Sequence, residues 1–173
     1  MKLARHLLLA FFTSLSVIAL AAYDPNDTEG PIEWKELDIA APAFPKQANL
    51  REFEVSQVAT NRYMIDSSTI SVGSDGVVRY VLVVLTAGGA TNVSFEGIKC
   101  DTGEWKHYAA GHSDGTWGLA RPKRSQWRPI ENKPVNRHHA ALKRNLFCPG
   151  GVPIFTADEG RKALILGKHP DAR

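Results

Sequence analysis

The sequence predicts an α+β fold in which an antiparallel β-sheet meander is covered by one or two C-terminal helices. Three observations lead there. Residues 77–86 read VVRYVLVVLT, an almost unbroken apolar run rich in β-branched side chains, as expected of a central strand buried on both faces. Asp75-Gly76 and Gly88-Gly89 stand on either side of that run, and such dipeptides tolerate the backbone angles of tight hairpin turns. Two helices are expected after the strands, the first capped by Asn136 and the second started by the Thr156–Glu159 capping box.

The chain opens with Lys2, Arg5 and an apolar stretch from Leu7 to Leu20, followed by Ala19-Leu20-Ala21. A basic start, a short apolar core and a small-x-small site are the parts of a cleaved secretory signal. The run is shorter than the ~20 residues a bilayer crossing needs. Residues 1–21 are therefore expected to be removed, leaving about 150 residues, an ordinary single-domain length. No cysteine follows the cleavage point, so a lipoprotein anchor is excluded and a periplasmic location is expected.

Residues 22–50 contain Pro25, Pro31, Pro42 and Pro45 and little periodicity. They read as an extended arm, with Trp34 and Phe44 as anchors. Residues 51–173 make up a single α+β domain. Within it, strands are expected at 52–58, 62–66, 69–73, 77–86, 91–100 and 104–110, with short ones near 116–120 and 126–130. Two-residue turns at Asp75-Gly76 and Gly88-Gly89 would pair Val72 with Arg79, and Arg79 with Ile98. They would also set Val81 opposite Glu96, so that Arg79 and Glu96 share one face. A first helix, capped by Asn136, places Val135, His139, Leu142 and Leu146 on one stripe and stops at Cys148-Pro149-Gly150-Gly151. A second starts at the Thr156-Ala157-Asp158-Glu159 capping box and ends near Leu166, before Gly167. Gly160 inside it opposes helix formation.

There are 21 Lys+Arg and 18 Asp+Glu. Once Lys2 and Arg5 leave with the signal the balance is near neutral, which argues against a nucleic-acid binder. The charges are nonetheless segregated, acidic before residue 99 and basic after it. Either the two halves pack against one another, or the basic half faces an anionic envelope partner. Cys100 and Cys148 are the two cysteines. An even count in an exported chain favours a structural disulfide, and closing so long a loop stabilises by roughly 4 kcal/mol.

Chemistry-bearing patterns are sparse. Arg79 and Glu96 form either a buried ion pair that fixes register or a charged ligand contact on an apolar face. His107, His112 and Asp114, and the adjacent pair His138-His139, lack the i,i+4 spacing of helical metal ligands, so no metal site is expected. The only approach to a nucleophile elbow, Val72-Gly73-Ser74-Asp75-Gly76, is a hairpin turn. No phosphate loop or dinucleotide fingerprint occurs, so no cofactor is expected. Arg121, Lys123, Arg124, Trp127 and Arg128 make a basic loop that is either plain solvated surface or an anion-binding site.

The stretches DSSTISVGSDGVVRYVLVV, GATNVSFEGIKC, the YAAG of residues 108–111, the spaced Trp117 and Trp127, and RNLFCP at 144–149 resemble the cryptic neisserial protein family over residues 34–149. The resemblance implies an exported protein of a Gram-negative envelope and carries no established activity, catalytic residue or cofactor. The functional expectation is a periplasmic, non-enzymatic protein binding a protein or an anionic envelope component. The alternative is a small envelope hydrolase using His and carboxylate residues of 104–127.

Overall fold

The computed structural model describes residues 33–134 and 137–172. The expected signal segment, and Asn136 and Val135 of the first helix, lie outside them. All the strands and helices named below belong to the compact unit that begins at Trp34.

Seven strands form one antiparallel sheet: β1 (Leu50–Glu52), β2 (Arg62–Val72), β3 (Val77–Leu85), β4 (Thr91–Lys99), β5 (Glu104–Gly111), β6 (Trp117–Leu119) and β7 (Arg128–Pro129). The first six lie in sequence order, and β7 pairs the start of β5. β3 is interior and buried from Val77 to Val83, as its apolar run requires. After the sheet come a short helix α1 (Arg137–Ala141), a π-helical continuation over Leu142–Phe147, and α2 (Ala157–Leu166). The fold is α+β, a meander followed by C-terminal helices.

Local boundaries depart from expectation in informative ways. The strand expected over 52–58 ends at Glu52. The two segments expected at 62–66 and 69–73 are one strand, β2, with an irregularity between Asp66 and Ser71. There Thr69 Oγ1 donates to the Asp66 carbonyl and accepts from the Val81 backbone N–H, so a side chain replaces a missing ladder bond.

The register differs by one residue at both hairpins. Gly73 N–H donates to Val77 O, and Thr86 N–H donates to Ala90 O. Each loop therefore holds three residues instead of two, ending on Gly76 (φ 75°) and Gly89 (φ 82°). This is the three-residue hairpin, whose last position needs a left-handed residue. Val72 pairs Val78, Arg79 pairs Gly97 and Tyr80 pairs Glu96. One residue of slip moves a strand's side chains to the opposite face, so Glu96 and Ile98 join Tyr80 on one side while Arg79 points to the other.

Each face has its own core. On the helix side Val78, Tyr80, Leu82, Ile98 and Trp105 pack against Leu142, Leu146, Phe147, Ile154 and Leu164. Burial of each such aliphatic side chain contributes ~1.5–3 kcal/mol. Gly160 of α2 sits so close to Ile154 and Ile70 that a Cβ there would meet Ile154 Cδ1 at 2.8 Å, which accounts for a glycine inside a helix. Thr156 caps α2 by accepting from Glu159 N–H, whereas the Glu159 carboxylate reaches Phe155 N–H, one residue before the cap. The Cys100–Cys148 disulfide, with Cα atoms 5.5 Å apart, ties the end of β4 to the end of the π-helical segment.

On the other side Met64, Val81, Val83, Phe95 and Ala109 are covered by the arm. Residues 34–46 cross this face without helix or strand, leading into a single 3-10 turn at Gln47–Asn49, and are held by Trp34 Nε1–H to Asp75 O (2.8 Å), Trp117 Nε1–H to Pro42 O (2.8 Å) and the Phe44–Trp117 contact. Glu36 anchors the arm's middle, accepting from Lys106 Nζ, Tyr108 Oη and Trp127 Nε1. Burial raises the Glu36 pKa, but these three donors outweigh it and hold the carboxyl below its ordinary range.

Candidate ligand-binding site

The helices cover the helix-side face only in part. Where β3, β4 and β5 run on beyond them, the uncovered sheet forms the floor of an open recess of about 590 Å³. Side chains alternate along each strand, so the same face supplies Leu82 and Val84 from β3 and Asn92, Ser94 and Glu96 from β4, and a bulge at Tyr108 in β5 brings both His107 and Ala110 to that face. Trp105 and His138 stand along one side, Arg124 comes from the loop before β7, and Arg128 is the first residue of β7.

Glu96 is the chemical centre. The residue is 5% exposed. Oε2 lies 2.8 Å from His139 Nε2 and accepts from Tyr80 Oη at 3.3 Å, while Oε1 accepts from Ser94 Oγ at 2.8 Å. Burial pushes the Glu96 carboxyl up. The charge and hydrogen bond of His139, then His138 and the Ser94 hydroxyl, pull it further down, to about 2. The carboxylate is therefore ionised, and burial together with its charge raises the Tyr80 hydroxyl well above the usual phenol range.

Five side chains run in sequence beside the recess. Tyr63 stacks on His138 (5.1 Å between centroids), His138 meets His139 (4.0 Å), His139 stacks on Trp105 (3.8 Å), and the Arg128 guanidinium lies 5.3 Å from the Trp105 ring. Burial and the neighbouring His139 lower the His138 pKa to about 4 against the pull of Glu96. His107 is lowered by burial first, with Glu96 pulling upward and Arg124 and Arg128 downward. It thus feels both the floor carboxylate and the guanidiniums. Three ring nitrogens, His138 Nδ1, His139 Nδ1 and Trp105 Nε1, are buried with no hydrogen-bond partner among the described residues. Such groups cost ~1–3 kcal/mol unless something satisfies them.

A carboxylate on a histidine is the positioning half of a nucleophilic triad, but the other half is missing among the described residues. His139 is 1% exposed and packed between His138 and Trp105, and no hydroxyl or thiol of those residues reaches its Nδ1. Ser94, the hydroxyl nearest the pair, donates to Glu96 itself. The arrangement builds a fixed, charged floor and offers no activated nucleophile.

The residues singled out from sequence are divided by the structure. Arg79 does not pair with Glu96: the three-residue hairpin loops put them on opposite faces. Arg79 closes instead on Asp75, at 2.6 Å, with both side chains buried. Of the basic loop, Arg124 and Arg128 reach the recess and form no salt bridge among the described residues. Arg121 and Lys123 lie outside it, and Trp127 turns to the arm side, edge-on to Trp34 and Tyr108. His107 lines the recess. Asp114 is used in its own turn, accepting from Thr116, and His112 lies against Gly118. Among the described residues no group of three or more His, Cys, Asp or Glu is placed to hold a metal. Sequence reasoning missed Ser94, Trp105 and the role of His138 and His139. The available signal was His139 itself, a titratable residue on an otherwise apolar helical stripe. A second recess of about 650 Å³, between residues 54–57 and the ends of α1 and α2, holds no unpartnered buried group among the described residues.

No helix among the described residues is long and apolar enough to cross a membrane. No solved structure matches this chain. Cryptic neisserial protein 1 of Neisseria gonorrhoeae (strain ATCC 700825 / FA 1090) is 31% identical over 108 residues, covering 55% of this chain and 52% of the relative. The chain thus spans about half the length of the curated relative it matches. The CNP1-like family model matches residues 29–164, which include every residue lining the recess and both cysteines of the disulfide. With four-fifths of its length matched in this way, the chain belongs to the CNP1-like family.

Proposed function

We propose that this is an exported, periplasmic, non-enzymatic protein that binds an envelope component in the recess above Glu96. One observation carries the reading: a recess floored by a fixed carboxylate, rimmed by two guanidiniums without acidic partners, and bordered by buried ring nitrogens that lack hydrogen bonds. Polar groups left open in this way mark a binding site more than a packing surface. Export is supported by the leader pattern of residues 1–21 and by the disulfide, which suits an oxidising compartment.

Fractionation of the producing cell, with N-terminal sequencing and native mass spectrometry of the purified protein, tests both parts. The expected result is a periplasmic protein starting near Ala22 and carrying a bound mass that is lost in the double variant Arg124→Glu, Arg128→Glu. A cytosolic, unprocessed chain would end the export reading. An unliganded protein unresponsive to envelope extracts would end the binding one.

A further inference from the structure

The hydrogen-bonding inventory of the recess narrows what it can hold. Arg124 and Arg128 donate only; Arg128 Nη2 is spent on the Lys123 and Arg124 carbonyls, which leaves its Nη1 and Nε together with the Arg124 guanidinium to meet a carboxylate. Glu96 accepts only. An ionised carboxylate offers about four lone-pair positions, and His139, Tyr80 and Ser94 occupy three of them, so its Oε1 retains capacity for one more donor. Ser94 Oγ spends its proton on Glu96 and keeps lone pairs toward the recess, and the Asn92 amide makes no hydrogen bond among the described residues. Trp105 Nε1 adds a buried donor with nothing to donate to. The occupant must therefore bring an anion at one side, donors at the floor and acceptors near Trp105.

Aromatic faces are already engaged. The Trp105 ring carries His139 and the Arg128 guanidinium, and the His138 ring carries Tyr63 and His139. A flat base or aryl group would find no free ring to stack on, whereas a non-planar ring with hydroxyls on its edges needs none. A bare phosphate would satisfy the arginines and leave Glu96, Ser94 and Trp105 as they are. A fatty acid would bury its chain against Asn92, Ser94, Glu96 and His107. The volume of about 590 Å³ exceeds what one such ring requires, which leaves room for bridging water or for a second ring.

We propose that the recess binds an acidic sugar residue, its carboxylate on Arg124 and Arg128 and its hydroxyls donating to Glu96 and Ser94. The assignment rests on the binding role proposed for the recess and deepens it by naming a ligand class. Asn92 and Trp105 Nε1 take the remaining hydroxyl and ring oxygens, and the open side of the recess admits either a free uronate or the end of a uronate chain.

The four tryptophan indole N–H groups give a direct readout. Those of Trp34, Trp117 and Trp127 are engaged by Asp75 O, Pro42 O and Glu36, and that of Trp105 is not. A 15N-labelled full-length mature protein is titrated with galacturonate, its trimer, glucose, acetate and inorganic phosphate, and followed by 1H–15N correlation spectra. Galacturonate, its trimer or both should shift the Trp105 indole resonance saturably, while glucose and acetate should bind at least about tenfold more weakly, since each lacks one charge-assisted or neutral set of contacts. Arg124→Ala, at an exposed position, and Ser94→Ala should each weaken binding with the other three indole resonances unmoved, which certifies the fold. A stronger response to the trimer assigns the site to a polymer end, and an equal one assigns it to the free sugar. Acetate or phosphate binding as tightly as galacturonate would overturn the sugar class and leave the binding role standing. Silence of every recess resonance to all five probes and to envelope extract would overturn both.

Discussion

Arg79 Nη2 lies 2.6 Å from Asp75 Oδ2, closing a buried ion pair across the first hairpin turn, with Nη1 on Oδ1 at 3.1 Å. Burial raises the Asp75 pKa, but the Arg79 hydrogen bonds and the backbone N–H groups of Leu37 and Val77 outweigh it, so the carboxyl is held below its ordinary value. The same Oδ2 receives Leu37 N–H of the arm. One carboxylate therefore fixes a turn, neutralises a guanidinium in the sheet and pins the crossing segment.

Removal of that carboxylate's charge should be costly. Asp75→Asn leaves the Arg79 guanidinium buried and unpaired, and orphaned buried charges typically cost about 3–5 kcal/mol. Urea denaturation should show a loss of that order, and Asp75→Asn combined with Arg79→Met should recover part of it. Because Glu96 is on the opposite face with other partners, Asp75→Asn and Glu96→Gln should add nearly independently. Strong coupling between them would contradict the register.

That register also shows where the sequence could and could not be read. The meander, the interior position of β3 and the α2 cap follow from local signals: β-branched runs, glycine-bearing turns and the threonine before Ala157. The choice between a two-residue and a three-residue hairpin loop does not, because Asp75-Gly76 and Gly88-Gly89 suit either, and the outcome depends on which residue takes the left-handed angle. That single step separated Arg79 from Glu96 and joined Glu96 to His139. The recess was illegible for a related reason. Its floor depends on which residues of β3, β4 and β5 stay uncovered once short α1 ends, and helix length there is set by tertiary packing more than by propensity.

Acid should weaken the fold in two stages. His138, lowered to about 4 from an ordinary 6.5, stays neutral in the folded protein where the unfolded chain has already taken up a proton. Stability is thus complete above pH 6.5 and declines as pH falls toward 4. Glu96, lowered to about 2 from 4.5, extends the decline from pH 4.5 downward. Thermal melts between pH 7.5 and 3 should trace a continuous fall. His138→Phe, which keeps a ring to stack on Tyr63, should flatten the upper stage, with a remainder from His107, whose pKa is lowered in the same sense. An unchanged upper slope would show that His138 does not govern that stage.

Gly160 separates helix propensity from packing. In an exposed helix, Gly→Ala stabilises by about 1 kcal/mol. Here an added Cβ would sit 2.8 Å from Ile154 Cδ1 and 3.2 Å from Ile70 Cγ2, in a part of the core where Ile154 is fully buried. Overpacking typically costs about 1–3 kcal/mol. Gly160→Ala should therefore lower the melting temperature, and Gly160→Ala with Ile154→Val should restore some of it by withdrawing the opposing methyl. A stabilised single variant would mean that α2 can slide off the sheet.

The disulfide bears on the recess as well as on overall stability. Cys100 follows β4, which carries Glu96 and Ser94, and Cys148 follows the helical segment that carries His138 and His139. The bridge therefore joins the two elements whose contact makes the Glu96–His139 pair. The double variant Cys100→Ser, Cys148→Ser should lose roughly 4 kcal/mol if chain entropy governs, and less if the reduced unfolded chain stays compact. Loosening should reach Trp105, which is stacked on His139 at 3.8 Å. Near-ultraviolet circular dichroism should lose amplitude in the tryptophan region well below the global melting temperature in the variant, and at the global transition in the bridged protein. Coincident loss in both proteins would show that the helical segment is held on the sheet by packing alone.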